Sequence, residues 1–136
     1  ETFRIPRYST INDSKFIRKL GESDLLLSVH AREIVSKDLL NKPRCKAVNV
    51  HPYLYKYKGA NPVAKALREA NFKASVGAHI IEERIDEGQV ITEEFLDVSG
   101  AQSIGEVYNK LYFNYVSVIF KVLNWARKKA REKHEN

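Results

Sequence analysis

The spacing of apolar positions along the chain predicts eight secondary-structure elements. Residues 24–30 and 46–51 are short, nearly continuous apolar runs, which are typical of strands buried in a parallel sheet. Residues 73–83 alternate between apolar and polar positions, and residues 89–98 follow a turn, so both segments predict strands. Elsewhere apolar residues repeat every three or four positions, which predicts helices. The predicted helices cover residues 11–20, 36–41 and 61–71 and a long segment that begins near Ser103.

Two of the predicted helices begin with recognisable capping residues. Asn61 precedes Pro62, a pair suited to the first turn of a helix. Ser103 and Glu106 have the spacing of a capping box. The long helix that follows carries an apolar stripe that predicts packing against the core. Its members are Ile104, Val107, Tyr108, Leu111, Tyr115, Val118, Ile119 and Val122.

The order of these elements predicts an α/β fold. Helices alternate with the first three strands, which indicates a mostly parallel, doubly wound sheet that turns antiparallel toward Val98. Such a sheet normally opens with a strand–turn–helix unit that holds a phosphate, and nothing before Asp24 supplies one. The sequence also begins at Glu1 and contains no methionine. We therefore expect residues 1–136 to form a single domain that is the C-terminal part of a larger catalytic domain.

Composition narrows the functional classes. With 136 residues, 43% hydrophobic and 29% charged, the chain is long and apolar enough to bury a core. No apolar run reaches the roughly 20 residues of a membrane span. Cys45 is the only cysteine, so an intramolecular disulfide and a Cys-rich zinc site are excluded, and a cytoplasmic setting is favoured.

The net charge of +6 favours anionic partners. Five cations crowd the last ten residues: Arg127, Lys128, Lys129, Arg131 and Lys133. We favour a solvated helix end, where cations suit the helix dipole, over a nucleic-acid contact.

The strongest chemical candidates are Asn49 and His51. They lie two apart at the end of a predicted strand, so their side chains share a face. Ligands of open α/β sheets bind beyond the carboxyl ends of the strands. Asp86 follows another strand in a predicted turn, and a carboxylate near His51 would orient the imidazole and raise its pKa. By spacing alone, however, an Asn-x-His pair is more often an ordinary strand end.

The chemistry that this trio suits is acyl transfer. An amide can donate to a developing oxyanion, and an imidazole can shuttle a proton. No nucleophile is evident, because Ser28 and Ser75 lack a nucleophile-elbow motif and Cys45 precedes its strand. A substrate that brings its own nucleophile, such as an amine, fits this residue set.

Two ordered motifs resemble those of folate-dependent formyltransferases. Residues 49–59 read NVHPYLYKYKG and resemble the family signature N-x-H-P-S-L-L-P-x-x-x-G. Residues 76–91 read VGAHIIEERIDEGQVI and are similar to the family's T-x-H…D-x-G segment. The resemblance runs from about residue 5 to residue 125. The family's serine and proline are replaced in residues 53–56, and its threonine is Gly77, so the shape of the acceptor site is expected to differ.

The resemblance implies roles for the trio. A substrate amine would attack the formyl group of 10-formyltetrahydrofolate, and tetrahydrofolate would be released. Asn49 would hydrogen-bond the formyl oxygen as it becomes an oxyanion. His51 would stabilise that charge or pass a proton, and Asp86 would tune His51 and position a water.

The same resemblance implies the binding residues, and it implies no metal. The folate head would lie against two segments. The first comprises Arg32, Glu33, Ile34 and Val35, and the second comprises Glu82, Glu83, Arg84 and Ile85. The acceptor would meet Tyr53, Lys56, Lys58, Gly59 and His79. Glycinamide ribonucleotide or a sugar nucleotide is favoured as the acceptor over initiator tRNA.

Several alternatives remain open at this stage. The chain could be a catalytically silent module that binds folate or a partner, with an open sheet edge that pairs with another copy as a homodimer. Tyrosines interleaved with lysines in residues 53–58 also occur in proteins that bind single-stranded nucleic acid. His79 is equally well explained as a structural residue and as a residue that lines the site. His30 is better explained as a polar residue at the end of a strand. A zinc site from His30, His51, His79 and Asp86 is disfavoured by the spacing.

Overall fold

The computed structural model describes residues 10–20, 23–31, 33–41, 46–82 and 88–135. Its elements are α1 (Ser14–Leu20), β1 (Leu25–Val29), α2 (Lys37–Leu40), β2 (Lys46–Pro52), α3 (Pro62–Arg68), β3 (Lys73–Ile80), β4 (Val90–Asp97) and α4 (Ile104–Glu135). The predicted order of helices and strands is confirmed. The α/β class is therefore confirmed as well.

The four strands form one mixed sheet in the order β1-β2-β3-β4. The β1/β2 pair is parallel, whereas β2/β3 and β3/β4 are antiparallel. The expected parallel direction thus holds for one pair and reverses one strand earlier than the sequence indicated. β3 runs antiparallel to β2 because the chain reverses direction after β2. At this reversal the Tyr53 amide donates to the carbonyl of Ser75 at 2.9 Å. The chain turns round at that end, and the seven-residue α3 does not return it to the other end of the sheet.

The core lies between one face of the sheet and α4. Val48 and Val50 of β2 and Val76 of β3 are at most 2% exposed and belong to one cluster with the buried stripe of α4. That stripe comprises Val107, Leu111, Tyr115, Val118 and Val122. Side chains alternate along a strand, so Asn49 and His51 project from the face opposite Val48 and Val50. No helix in the described ranges combines the length and the apolar character needed to span a membrane.

The helix starts agree only in part with the capping predictions. The Ser103 hydroxyl accepts from the Glu106 amide at 3.2 Å, and the Glu106 carboxylate accepts from the Gln102 amide at 2.7 Å, which confirms reciprocal capping of α4. Asn61 makes no side-chain cap; it instead adopts a left-handed conformation with φ of 57° ahead of Pro62. Ile104, counted in the buried stripe, is 46% exposed because it occupies the first turn of α4, beyond the sheet.

Candidate active site

The predicted pair Asn49 and His51 occupies the carboxyl end of β2, as the sequence indicated. Their antiparallel partners on β3 are His79 and Gly77, respectively. Directly opposed residues project from the same face of a sheet, so an amide and two imidazoles lie side by side. Asn49 is half-buried, whereas His51 is 7% and His79 is 2% exposed. These polar groups are therefore positioned by the strands themselves.

His79 orients the Asn49 amide. Nδ1 of His79 lies 3.0 Å from the carbonyl oxygen of Ile80, which can only accept, so Nδ1 carries the proton in the neutral ring. Nε2 is then an acceptor, and it lies 3.5 Å from Nδ2 of Asn49. One amide hydrogen of Asn49 is thereby directed along the sheet. The structure thus gives His79 a hydrogen-bonded place beside Asn49.

A backbone carbonyl orients the ring of His51. Nε2 of His51 lies 3.1 Å from the carbonyl oxygen of Gly59, so Nε2 is the donor in the neutral ring. Gly59 has φ of +78°, a conformation that favours glycine. Sequence reasoning placed Gly59 among the acceptor-binding residues and missed this contact. The signal that could have found it is the glycine at a fixed distance after the histidine.

The loop between β2 and α3 is held by buried tyrosines. Tyr53 is 1% exposed, and its hydroxyl donates to the carbonyl of Asn71 at 3.0 Å. Burial, with smaller contributions from Tyr55 and Tyr57, raises the pKa of Tyr53 to about 12. Tyr57 is also buried, and its hydroxyl donates to Glu69 at 2.5 Å. Two of the three rings are therefore structural, which argues against the stacking platform of a nucleic-acid site.

The cations of this loop lie at the surface. Lys56 and Lys58 are exposed, as an acceptor-binding role requires. Nζ of Lys56 lies 3.6 Å from the Glu69 carboxylate and 5.5 Å from the centre of the Tyr57 ring. The side-chain hydrogen bond from Tyr57 lowers the pKa of Glu69 below its usual value, with the nearby Lys56 adding to the effect.

Two contacts that the sequence did not reveal fix this loop to the sheet. The Glu93 carboxylate accepts from the buried Ser75 hydroxyl at 2.7 Å and from the Tyr55 amide at 2.9 Å. Gly77 faces Leu54 so closely that a Cβ there would lie 2.5 Å from the Leu54 Cδ2 atom. Glycine in place of the expected threonine thus lets the loop pack directly on β3.

The predicted folate loop after β1 is partly described. The Glu33 carboxylate accepts from the Thr10 hydroxyl at 2.6 Å and from the Ile11 amide at 3.1 Å. The Asn12 side chain brackets the loop, since it donates to the Ile34 carbonyl at 3.0 Å and accepts from the Ser36 amide at 2.9 Å. Val35, between them, is half-buried. The loop backbone is therefore held from the segment before α1.

The second predicted folate segment and the carboxylate of the trio are mostly not described. Glu82 is exposed at the end of β3. Arg32, Glu83, Arg84, Ile85 and Asp86 lie outside the described residues. After them, Gly88 lies so close to the Ile80 carbonyl that a Cβ would collide with it, which explains the glycine of this motif.

His30 follows β1, the strand next to the one that carries Asn49 and His51. The last residue of β1 pairs with Val50, and His30 has φ of 55°. Its ring centre is 5.0 Å from those of Tyr108 and Tyr115 on α4. Burial lowers the pKa of His30, and the nearby His51 adds to that effect. Sequence reasoning had discounted this residue.

Two surface hollows in the described residues lie away from Asn49 and His51. One, of about 430 Å³, is lined by Phe72, Lys73, Phe95, Leu96, Asp97 and Ser99. The other, of about 380 Å³, is lined by Ser14, Ile17, Arg18, Asp38 and Asn41. Among the residues that the structure describes, no three His, Cys, Asp or Glu side chains are grouped to hold a metal ion.

Comparison with known proteins finds one matching family model and similar proteins of that family. The sequence model of the formyl transferase family matches residues 9–123. A methionyl-tRNA formyltransferase from Staphylococcus epidermidis is 26% identical over 125 residues, which are 88% of this chain and 40% of that protein. The chain therefore spans less than half of that relative's length.

Solved structures share the fold. A phosphoribosylglycinamide formyltransferase from Bacillus halodurans superposes with a TM-score of 0.64 at 22% identity, over 72% of this chain and 52% of the other. The formyltransferase PseJ from Anoxybacillus kamchatkensis, in complex with UDP-4,6-dideoxy-4-formamido-L-AltNAc and tetrahydrofolate, gives a TM-score of 0.69 at 20% identity. It is matched over 93% of this chain and 63% of its own length. At these identities the likeness shows the fold alone.

Proposed function

Because the chain belongs to the formyl transferase family, we propose that it transfers a formyl group from 10-formyltetrahydrofolate to an amine of a phosphorylated small molecule or sugar nucleotide. The observation that carries the proposal is the pairing of Asn49 and His51 on one face at the end of β2, each oriented by a hydrogen bond. This arrangement of two signature residues supports the proposal.

The proposed chemistry assigns one task to each side chain. When bound, 10-formyltetrahydrofolate supplies the formyl group and leaves as tetrahydrofolate. Asn49 donates its second amide hydrogen to the formyl oxygen, which becomes negatively charged as the acceptor amine attacks. His51 stabilises that charge or moves the proton that the amine loses to N10 of the departing tetrahydrofolate, as the bond between the formyl carbon and N10 breaks. Because the acceptor supplies the nucleophile, no serine or cysteine nucleophile is required of the chain.

Asp86 completes the proposed trio. Its carboxylate would tune His51 and position a water for proton transfer. Gly88, two residues later in the chain, lies against the carbonyl of Ile80, the residue that follows His79. This role stays a proposal.

The donor fits the described part of the proposed folate site. Asn12 holds the backbone of Ile34 and Ser36, and Thr10 donates to the Glu33 carboxylate, so the loop offers a fixed edge for a flat heterocycle. Tetrahydrofolate is bound by the Anoxybacillus enzyme, which has the same fold. We assign Arg32 to Val35 and Glu82 to Ile85 to the folate head, and exposed Lys56 and Lys58 to an anionic acceptor. A cytoplasmic setting, expected from the single cysteine, remains part of the proposal.

Turnover by the purified chain tests the proposal. The chain is incubated with 10-formyltetrahydrofolate and candidate amines, and release of tetrahydrofolate is followed. We expect His51→Ala to lower turnover by about 100-fold or more while folate binding is retained. His134→Ala, at the far end of α4, is the matched control and should leave turnover unchanged. A chain that binds folate and never turns over would refute catalysis.

A second candidate is the silent, partner-binding module. The outer face of α4 exposes Phe113 (80%), Phe120 (63%), Leu123 (46%) and Val116 (37%). Their spacing of three, four and three residues is that of a helix–helix seam. The sequence analysis anticipated a second copy of the chain at the open sheet edge, whereas these side chains would place a second copy on α4. Sedimentation of the wild type and of the Phe113→Ser/Phe120→Ser variant decides this, because only a dimer through α4 would dissociate on substitution.

A further inference from the structure

The outer surface of α4, away from the sheet, carries an exposed row of side chains at helical spacing. Two exposed arginines continue the line of its apolar members at intervals of four residues. We call this set the outer row, and its members are Phe113, Val116, Phe120, Leu123, Arg127 and Arg131. The four apolar members are 80%, 37%, 63% and 46% exposed, in chain order. The apolar part of the row is about 15 Å long.

Exposed apolar side chains in a contiguous row call for an explanation. Single exposed apolar residues are common in soluble proteins, whereas larger apolar patches mark contacts with proteins or membranes. Tyr112, which is 63% exposed, widens the patch, because its ring centre lies 5.7 Å from that of Phe113. The outer row therefore has the character of a docking surface.

The charge of α4 identifies the occupant of this surface. Residues 107–131 include six lysines or arginines and no aspartate or glutamate. Two of these cations are paired within the chain, Lys121 with Glu94 at 3.1 Å and Lys129 with Glu132 at 3.3 Å. Both arginines of the outer row lie outside these pairs and are exposed. The outer row thus joins an apolar stretch to a cationic one.

An anionic membrane surface fits this combination better than a second copy of the chain does. Helices that lie in a membrane interface combine exposed phenylalanine and leucine with lysine and arginine. A second copy would bring further cations to the outer row and no acid between residues 107 and 131 of its own α4. Anionic lipid headgroups supply the opposite charge, and the acyl boundary below them accepts the apolar side chains.

The fold directs such a contact away from the proposed active site. α4 packs on the sheet face that carries Val48 and Val50, whereas Asn49 and His51 project from the opposite face. A bilayer on the outer surface of α4 would therefore leave the active-site face open to substrates in solution.

We infer that the outer row docks α4 on an anionic lipid bilayer: its apolar side chains enter the headgroup region, and Arg127 and Arg131 bind lipid phosphates. The helix axis then lies in the plane of the membrane, and the contact is peripheral. This inference goes beyond formyl transfer, because the contact requires neither folate nor an acceptor. It can therefore be tested without measuring turnover.

Sedimentation with lipid vesicles tests the inference. The chain is mixed with vesicles of phosphatidylcholine alone, or of phosphatidylcholine and phosphatidylglycerol in equal parts, and the bound fraction gives a partition coefficient. We expect at least about tenfold stronger partitioning into the anionic vesicles, and a decrease as salt is added. Phe113→Ser/Phe120→Ser should lower this partitioning at least about tenfold, because two rings no longer enter the bilayer. Phe95→Ser on β4, where the ring is 49% exposed, is the matched control and should bind like the wild type.

Two charge variants separate the outer row from the net charge. Arg127→Gln/Arg131→Gln should lower partitioning into the anionic vesicles about tenfold to 30-fold. Lys129→Gln/Lys133→Gln removes the same charge from the other side of α4, in line with buried Ala126. That variant should lose less than about threefold, because salt screens a charge that lies one helix diameter farther from the lipid.

Four results would overturn the inference, provided that circular dichroism shows each variant to be folded. Partitioning could be indifferent to lipid charge, the Phe113→Ser/Phe120→Ser variant could bind like the wild type, or the two charge variants could lose equally. Finally, the chain could dimerise without lipid and become monomeric in the Phe113→Ser/Phe120→Ser variant, since a second copy would then cover the outer row.

Discussion

Asn49 and His79 are opposed on β2 and β3, and the Asn49 amide nitrogen lies 3.5 Å from Nε2 of His79. The two residues are 30 positions apart in the chain and meet because β3 runs antiparallel to β2. The proton on Nδ1 of His79, held by the Ile80 carbonyl, leaves Nε2 as the acceptor that orients the amide. We therefore expect His79 to act through Asn49, as a positioning residue.

Replacement of His79 should impair catalysis more than binding. In His79→Ala the Asn49 amide loses its fixed orientation, and we expect kcat to fall by about tenfold to 100-fold while KM changes little. His79→Gln should recover most of the lost activity, because the glutamine side-chain oxygen can accept the same bond. Steady-state kinetics should compare kcat and KM of the wild type and both variants, after circular dichroism has shown that each variant is folded. An equal loss in both variants would mean that the imidazole has another role.

Alanine at position 77 should destabilise the fold through Leu54. The added Cβ would lie 2.5 Å from Leu54 Cδ2 and 2.8 Å from Leu54 Cβ, so the free energy of unfolding should fall by about 1–3 kcal/mol. Urea denaturation of the wild type, Gly77→Ala, Leu54→Ala and the double variant gives the free energies of unfolding for a double-mutant cycle. The double variant should lose less stability than the sum of the single losses. Strict additivity would show that the two residues do not meet.

Removal of the Glu93 carboxylate should loosen the loop after β2. Glu93→Ala leaves the buried Ser75 hydroxyl and the Tyr55 amide without their shared acceptor, which should cost about 1–3 kcal/mol of stability. Hydrogen exchange at the Tyr55 amide should accelerate, whereas exchange in α4 should follow the global stability alone. Protection of Tyr55 that matches the wild type would show that the loop is held by other contacts.

Acidification should weaken the contact between β4 and α4 at Glu94. Burial opposes ionisation of this carboxyl group, but hydrogen bonds from Ser117, Lys121 and Asn114 outweigh it, so the pKa of Glu94 is lowered from 4.5. A lowered pKa in the folded state stabilises the fold above pH 4.5, and the contribution is lost as the pH falls through the folded-state pKa. The Glu94→Gln variant should therefore show a flatter loss of stability below pH 4.5 in denaturation at a series of pH values. A wild-type profile in the variant would contradict this.

Sequence reasoning succeeded where a feature depends on local periodicity. The apolar runs located β1 and β2, and the two-residue spacing put Asn49 and His51 on one face. It failed where a feature depends on the direction of a distant strand. The Asn49–His79 contact requires β3 to be antiparallel, and the length of the connection after Pro52 does not settle that direction.

Loop contacts were equally hidden from the sequence. The contact between His51 and Gly59 depends on a positive φ in a loop whose residues have no periodic pattern. Tyr115 was correctly assigned to the apolar stripe of α4, but no pattern indicates that its hydroxyl would be buried without a hydrogen-bond partner among the described residues. Tertiary packing decides both features.

The length of α4 gives the protein a rigid arm. Its 32 residues extend about 48 Å, whereas an eight-residue strand extends about 27 Å. Burial along the helix ends at Ala126, so residues 127–135 reach about 13 Å past the last core contact. Five cations line this arm, and a dye or anionic resin attached there would leave the sheet and its loops facing solution. Residues 127–135 are thus a suitable attachment site for single-molecule or surface-based measurements.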